Sequence, residues 1–234
     1  MITRSLITAL AVLLCMPAHA LEVLACEPEW SALVTELAGD KATLTTATTA
    51  FQDPHQIQAK PSLIAAARRA DLVICTGADL EVGWLPLLLR RAGNASIQPG
   101  TPGYFLAADH VRRLEIPKSI DRSGGDVHPQ GNPHIHLQPR NIERVAKALG
   151  QSLVSIDSAN AAWYQGRLDD FLTRWATATQ QWEIDAADLD GMRIVTHHRS
   201  FSYLADWLRL DVVATLEPKP GVPASGAHLS KLLE

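Results

Sequence analysis

The chain has 234 residues, a formal net charge of −4 and nine histidines. No basic cluster is longer than Arg68-Arg69 or Arg90-Arg91, so nucleic-acid binding is not expected. After the amino terminus no run of about eighteen apolar residues occurs, so the mature chain is not expected to span a membrane.

The first twenty residues are typical of an export signal. Arg4 gives a basic start, Leu6 to Leu14 form an apolar run too short to span a membrane, and Ala18-His19-Ala20 fit a signal-peptidase site. Cys15 is not preceded by the small residue that a lipid-attachment motif needs. We therefore expect an exported, soluble periplasmic protein that begins near Leu21.

Strand and helix patterns alternate along the mature chain, which predicts an α/β fold with mostly parallel sheets and crossover helices. The predicted elements are strand 23–25, helix 28–38, strand 42–49, helix 60–70, strand 71–75, helix 80–92, helix 139–153, helix 158–184, strand 193–196, helix 201–208, strand 212–215 and a helical pattern over 227–233.

The pattern over 158–184 is longer than a usual crossover helix and predicts a backbone that links two lobes. The expected organisation is a signal peptide (1–20), an N-terminal α/β lobe (21–155), a linking helix (156–184) and a partial C-terminal α/β lobe (185–234). In this partial lobe, two strands with no further element beside them would leave the faces and edges of their sheet uncovered. We therefore expect either that part of the second lobe is absent or that a partner or dimer covers it.

Cys26 and Cys75 remain after removal of the signal, and each closes a short apolar strand-like run. In an exported protein such a pair fits a disulfide if the two strands are neighbours, with Cα atoms within about 7 Å. Two buried free thiols are the alternative. A metal role is less favoured, because neither cysteine has a CxxC partner.

Three histidine-bearing segments carry most of the functional information: Asp53-Pro54-His55, Asn132-Pro133-His134-Ile135-His136 and His197-His198-Arg199-Ser200-Phe201. Each is predicted to lie on a loop, and the second to hold two imidazoles on one side of an extended segment. Three imidazoles from separate loops can close most of a tetrahedral zinc site. Taken singly, each has an ordinary alternative as a capping, packing or surface residue.

Together these segments resemble the metal-binding periplasmic proteins of zinc and manganese ABC importers, the cluster A-I solute-binding family, over 21–234. The resemblance rests on features spread along the whole chain. The first are the Asp-Pro-His segment followed by Pro61-Ser62, and the run from Ala70 to Ile74 that leads into Thr76-Gly77 and Leu80-Glu81. The others are Gly131 to His134, the long central helix, the spacing of His198, Phe201 and Tyr203, and the segment from Glu217 to Val222-Pro223.

The resemblance implies that His55, His134 and His198 are metal ligands. Manganese-carrying relatives tend to have a carboxylate at the third position, so histidine there favours Zn²⁺ over Mn²⁺. The family's fourth ligand is an acidic residue with no match before Glu234, which leaves water or Glu217 as substitutes. The remaining candidates are His136, as a residue that supports the site, and His128, as part of a loop that gathers metal.

The implied function is delivery of Zn²⁺ to an ABC permease in the inner membrane, by a monomer that is not an enzyme, with a metallochaperone as a second candidate partner. Metal binding is expected to weaken below about pH 6.5, because imidazole must be neutral to coordinate. The alternatives are a secreted metallochaperone, a metal-dependent adhesin and a zinc hydrolase. The hydrolase is disfavoured because the chain has no HExxH motif.

Overall fold

The computed structural model describes residues 20–118 and 128–233, so the predicted signal peptide lies almost entirely outside the described residues. Four parallel strands form the first sheet in the order β2-β1-β3-β4: β1 (Leu21–Ala25), β2 (Ala42–Thr46), β3 (Leu72–Cys75) and β4 (Tyr104–Leu106). Two further parallel strands pair with each other: β5 (Arg193–Thr196) and β6 (Asp211–Thr215). The predicted α/β fold with parallel sheets is confirmed.

Seven α-helices occur in the described part of the chain: α1 (Pro28–Ala38), α2 (Pro61–Arg69), α3 (Leu85–Ala92), α4 (Pro139–Ile156), α5 (Ala161–Asp185), α6 (Ser202–Leu208) and α7 (Gly226–Leu232). Proline stands in the first turn of α1 to α4, where its missing N–H costs nothing. None of these helices has the length and apolarity needed to cross a membrane.

The first sheet is covered on both faces, which is typical of parallel sheets. In β1, Val23 and Ala25 join the core formed with α1, α4 and α5, whereas Leu24 joins the core formed with α2 and α3. The 25-residue helix α5, about 37 Å long, begins in the first of these cores, and near its end Glu183 accepts a hydrogen bond from the indole of Trp207 on α6 at 3.2 Å. The indole of Trp163 ties its start to α1 by a 2.8 Å hydrogen bond to the Ala38 carbonyl.

The helix predicted over 80–92 begins only at Leu85, so this prediction is corrected. Trp84, the residue before the helix, has a φ angle of −139°, outside the helical range, and Pro86 fits only in the first turn of a helix. Glu81 turns its carboxylate back onto the backbone N–H groups of Thr76 and Gly77.

Cys26 and Cys75 form the predicted disulfide. They lie at the carboxyl ends of the neighbouring strands β1 and β3, with their Cα atoms 4.8 Å apart, and both are fully buried. The bond joins positions separated by 49 residues and fixes two adjacent strand ends at one edge of the sheet.

Glu27 and Glu81 form a buried carboxyl pair beside this disulfide. Thr76 donates its N–H and its hydroxyl to Glu27 and its N–H to Glu81, at 2.8 to 3.2 Å. Burial raises the pKa of Glu81 to about 7 and raises the pKa of Glu27 well above its ordinary value. Two carboxylates this close disfavour double ionisation, so the pair retains a proton in mildly acidic solution.

We expect Glu81→Gln to stabilise the protein more strongly at pH 8 than at pH 4.5. A carboxyl whose pKa is raised on folding, here from 4.5 to about 7, favours the folded state at low pH and loses that contribution as the pH rises through 7. Glutamine stays neutral throughout. The variant's gain in unfolding free energy over wild type should therefore grow by about 3 kcal/mol across this range.

Urea denaturation of both proteins at each pH measures this difference. Taking the difference removes the contributions of titrating groups that do not interact with Glu81, whereas Glu27, whose pKa Glu81 raises, adds to the difference in the same direction. A gain that stays constant from pH 4.5 to pH 8 would contradict a raised pKa at Glu81.

Candidate metal centre

His55 lies in a short 3₁₀ turn, Pro54–Gln56, on the connection between β2 and α2. Asp53 caps this turn: its Oδ1 accepts the backbone N–H of His55 at 3.0 Å and lies 2.6 Å from the ring Nδ1. Trp84 donates its indole N–H to the Pro54 carbonyl at 2.8 Å. Because a carboxylate only accepts hydrogen bonds, Nδ1 of His55 donates to Asp53, and in the neutral ring Nε2 is then the nitrogen available to a metal.

His134 repeats this arrangement with an amide in place of the carboxylate. The Oδ1 atom of Asn132 accepts the backbone N–H of His134 at 2.9 Å and lies 2.8 Å from its Nδ1. The segment predicted to be extended is instead a 3₁₀ turn over Ile135–Leu137, so that prediction is wrong. Ile135 is fully buried in the core, and its burial pulls the chain into the turn.

His198 lies between β5 and the short turn Arg199–Phe201 that leads into α6. Its Nδ1 is 2.7 Å from Oε2 of Glu217, a residue that follows β6. The parallel pairing of β5 and β6 brings these two strand ends together although they are 19 residues apart. All three histidines thus donate through Nδ1 and present Nε2, the arrangement that oxygen partners of metal-binding histidines produce.

The structure brings the histidines into one neighbourhood in two pairs. The rings of His134 and His198 are 5.5 Å apart between centroids, and both line a cavity of about 460 Å³ together with His128. The Nε2 atoms of His55 and His128 are 3.1 Å apart. Two nitrogen ligands of one tetrahedral zinc ion lie about 3.3 Å apart, so the second pair already has ligand-like spacing.

The histidine rings do not form a compact set of three ligands. Across residues 20–118 and 128–233, only Cys26, Cys75 and Glu81 place three potential ligand atoms within 4.8 Å of one another. The disulfide occupies both sulfurs of that group, which leaves no thiolate to bind metal. A metal held by the histidines would therefore draw the two pairs closer together.

His134 is held in its neutral form. Burial, followed by the positive charge that His198 and the other nearby histidines can carry, lowers the pKa of His134 to about 3. Neutral imidazole is the form that binds metal. The expectation of proton competition below pH 6.5 therefore does not apply to His134.

The oxygen partners are held as anions. For Asp53 and Glu217, burial acts to raise the pKa, but the hydrogen bonds that each accepts outweigh it and lower the pKa. Glu217 accepts from His198 and from the Gly221 N–H, the latter at 3.1 Å. An anionic partner at Nδ1 makes the opposite ring nitrogen a stronger metal ligand.

His136 stands apart from the other candidates. Its ring centroid is 6.5 Å from that of His134, and its Nδ1 lies 3.3 Å from a carboxylate oxygen of Glu29 on α1. Burial lowers the pKa of His136. The predicted supporting role thus corresponds to a position between His134 and α1.

Sequence reasoning assigned no role to Asp53 and Asn132, the partners of two of the histidines. A signal for both was present, because Asp53-Pro54-His55 and Asn132-Pro133-His134 share the pattern Asx-Pro-His. An Asx side chain readily accepts hydrogen bonds from the residue two positions later. Glu217 has no such local signal.

The comparisons with known proteins identify a family. The family described as ZnuA, zinc-uptake complex component A, periplasmic, matches residues 23–234. A manganese ABC transporter substrate-binding lipoprotein, PsaA of Streptococcus pneumoniae, is 24% identical over 203 residues, which cover 85% of this chain and 62% of PsaA.

Two further relatives extend the comparison. An iron ABC transporter substrate-binding lipoprotein, MtsA of Streptococcus pyogenes serotype M1, is 23% identical over 174 residues, 72% of this chain and 53% of MtsA. The chain thus spans less than two thirds of either curated relative. A crystal structure of ZnuA shares the fold, with a TM-score of 0.76, 24% identity, and coverage of 92% of this chain and 76% of that one. Because the family match extends over nearly the whole chain, the protein belongs to the ZnuA family of periplasmic zinc-uptake components.

Proposed function

We propose that this protein captures Zn²⁺ in the periplasm and delivers it to the permease of an ABC importer in the inner membrane. The observation that carries the proposal is the shared geometry of His55, His134 and His198, each with Nδ1 bound to a side-chain oxygen and Nε2 left to bind metal. In this proposal residues 1–20 direct export. The lobes 21–155 and 185–234 are joined by the linking helix 156–184 and meet at the site.

Zinc is the favoured metal, with Mn²⁺ as the weaker candidate. PsaA is named for manganese and MtsA for iron, so membership of the family leaves the choice to the ligands of each chain. Three imidazole nitrogens suit zinc, whereas carboxylate and water oxygens suit manganese.

His128 is the best candidate for a fourth ligand. It lines the cavity with His134 and His198, and its Nε2 is 3.1 Å from that of His55. Glu217, considered above as a substitute ligand, already accepts hydrogen bonds from His198 and Gly221 through Oε2. We therefore assign Glu217 to the orientation of His198.

Titration of the metal-free protein with Zn²⁺ and Mn²⁺, in competition with a chromophoric chelator, tests the proposal. We expect one tight site for zinc and weaker binding of manganese. The triple variant His55→Ala, His134→Ala, His198→Ala should lose the tight site. Retention of wild-type zinc affinity by the triple variant would exclude the proposed function.

Glu217→Ala should weaken zinc binding by about 10- to 100-fold, the usual effect of removing the oxygen partner of a metal-binding histidine. Without its partner, His198 can rotate and exchange the proton between its two ring nitrogens. His197→Ala is the matched control, because this exposed neighbour lies 3.8 Å from Glu217 and should leave the affinity unchanged. Equal zinc affinity of Glu217→Ala and wild type would contradict the assignment of Glu217.

A secreted metallochaperone or an adhesin would use the same metal site and differs only in its partner. Zinc uptake into vesicles that contain the cognate permease and ATPase separates these functions, because only the importer component stimulates uptake. A zinc hydrolase is less well supported. Asp53 and Glu217, the carboxylates next to His55 and His198, accept hydrogen bonds from the imidazoles and do not stand ready to activate water.

A further inference from the structure

Glu115 lies at the junction of the two histidine-bearing segments that line the main cavity. It belongs to the connection after β4 and lines the cavity with His134 and His198. Its backbone has a φ angle of +54°, in the left-handed region that glycine adopts freely and glutamate does not. A residue held in such a conformation near a binding site is a candidate for a functional role.

The carboxylate of Glu115 connects the segment before His134 with the segment after His198. Its Oε2 accepts a hydrogen bond from Nδ2 of Asn132 at 2.8 Å. Its Oε1 accepts from the hydroxyl of Ser202 at 3.0 Å and lies 3.5 Å from the guanidinium of Arg199. One side chain thus holds both segments.

Glu115 is one of three groups that set the orientation of the Asn132 amide, together with the Arg199 carbonyl and the backbone N–H of His134, which donates to Oδ1 at 2.9 Å. Glu115 only accepts hydrogen bonds, so the amide must turn Nδ2 toward it, and the Arg199 carbonyl accepts from the same Nδ2 at 2.8 Å. Oδ1 of Asn132 then faces Nδ1 of His134 at 2.8 Å. The proton of His134 is thereby fixed on Nδ1, and Nε2 is left for the metal.

Tyr203 closes the same network from within the core. Its buried hydroxyl donates to the Asn132 carbonyl at 2.8 Å and accepts the N–H of Leu114 at 3.0 Å. Tyr203 on α6 is therefore hydrogen-bonded both to Leu114, the residue before Glu115, and to Asn132, whose side-chain amide donates to Glu115. The network is anchored independently of the Glu115 carboxylate, so removal of that carboxylate should leave the fold intact.

We propose that Glu115 is a positioning residue for metal capture. It helps to orient the amide of Asn132 and links the His134 loop to the Arg199–Phe201 turn, so that His134 and His198 present Nε2 to the same ion. This inference rests on the proposed function, because it concerns the geometry of that metal site.

Glu115→Gly separates positioning from a structural role, because it removes the carboxylate and relieves the backbone strain at once. We expect the metal-free variant to melt at the wild-type temperature or above it, while zinc binding weakens roughly tenfold. Glu115→Gln keeps an acceptor for Asn132 and should restore most of the affinity. A lower melting temperature with unchanged affinity would overturn the proposal.

Combination with His134→Ala tests whether Glu115 acts through His134. In the His134→Ala protein, which lacks this imidazole, Glu115→Gly should weaken zinc binding much less than it does in the wild type. If Glu115→Gly still weakens zinc binding tenfold in the His134→Ala protein, the proposal that Glu115 acts through His134 is overturned. If His134→Ala itself leaves zinc affinity unchanged, the proposed function fails together with this inference. If His134→Ala weakens binding and Glu115→Gly does not, only the inference fails.

Discussion

Replacement of His134 by alanine is expected to weaken zinc binding at least about a hundredfold, beyond the range usual for residues that only support a metal ligand. His134 is the histidine that the structure holds most firmly as a neutral ligand. Its pKa is lowered to about 3, and Asn132 fixes its proton on Nδ1. Competition with a chromophoric chelator at pH 7.5 measures the loss.

His110→Ala is the control for this variant. That imidazole is stacked on Phe105, with ring centroids 4.5 Å apart, and lies outside the group of histidines that lower the pKa of His134. Its removal should leave zinc affinity within experimental error of wild type. Binding by His134→Ala as tight as that of the His110→Ala control would contradict a ligand role for His134.

Removal of the disulfide is expected to lower the free energy of unfolding by about 4 kcal/mol, because the cross-link restricts a loop of 49 residues in the unfolded chain. The double variant Cys26→Ala, Cys75→Ala avoids placing new polar groups at two fully buried positions. Urea denaturation of the oxidised protein and of the variant measures the difference.

Wild-type protein reduced with a phosphine is the matched control, because it keeps both sulfur atoms and loses only the bond. A similar loss in the reduced protein and in the variant would assign the effect to the cross-link. Equal stability of the oxidised and reduced proteins would contradict it. Zinc affinity should survive in the double variant, since no sulfur belongs to the proposed site.

Much of the fold can be predicted because apolar periodicity marks the buried elements. The bounds of α1 (Pro28–Ala38) and β5 (Arg193–Thr196) coincide with the sequence prediction. By contrast, β4 (Tyr104–Leu106) is too short to show a period, and it is defined by its pairing with β3. The sequence prediction starts α3 too early, although Pro86, which fits only in the first turn of a helix, marks the observed start at Leu85.

The candidate site, like the fold, has residues that the sequence predicts and residues that it does not. Its three histidines can be selected from the sequence only together, through the family resemblance, because each taken singly has an ordinary alternative role. Their partners are less visible, since Glu217 reaches His198 only through the pairing of β5 with β6. Glu115 reaches Asn132 across 17 residues, through a connection that has no periodic pattern.

The most direct test of the central claim is the position of zinc in a crystal of the zinc-loaded protein, located by anomalous diffraction at the zinc absorption edge. We expect one peak about 2.0–2.1 Å from the Nε2 atoms of His55, His134 and His198, the usual zinc–imidazole distance. A peak away from these three nitrogens, with none between them, would contradict the account.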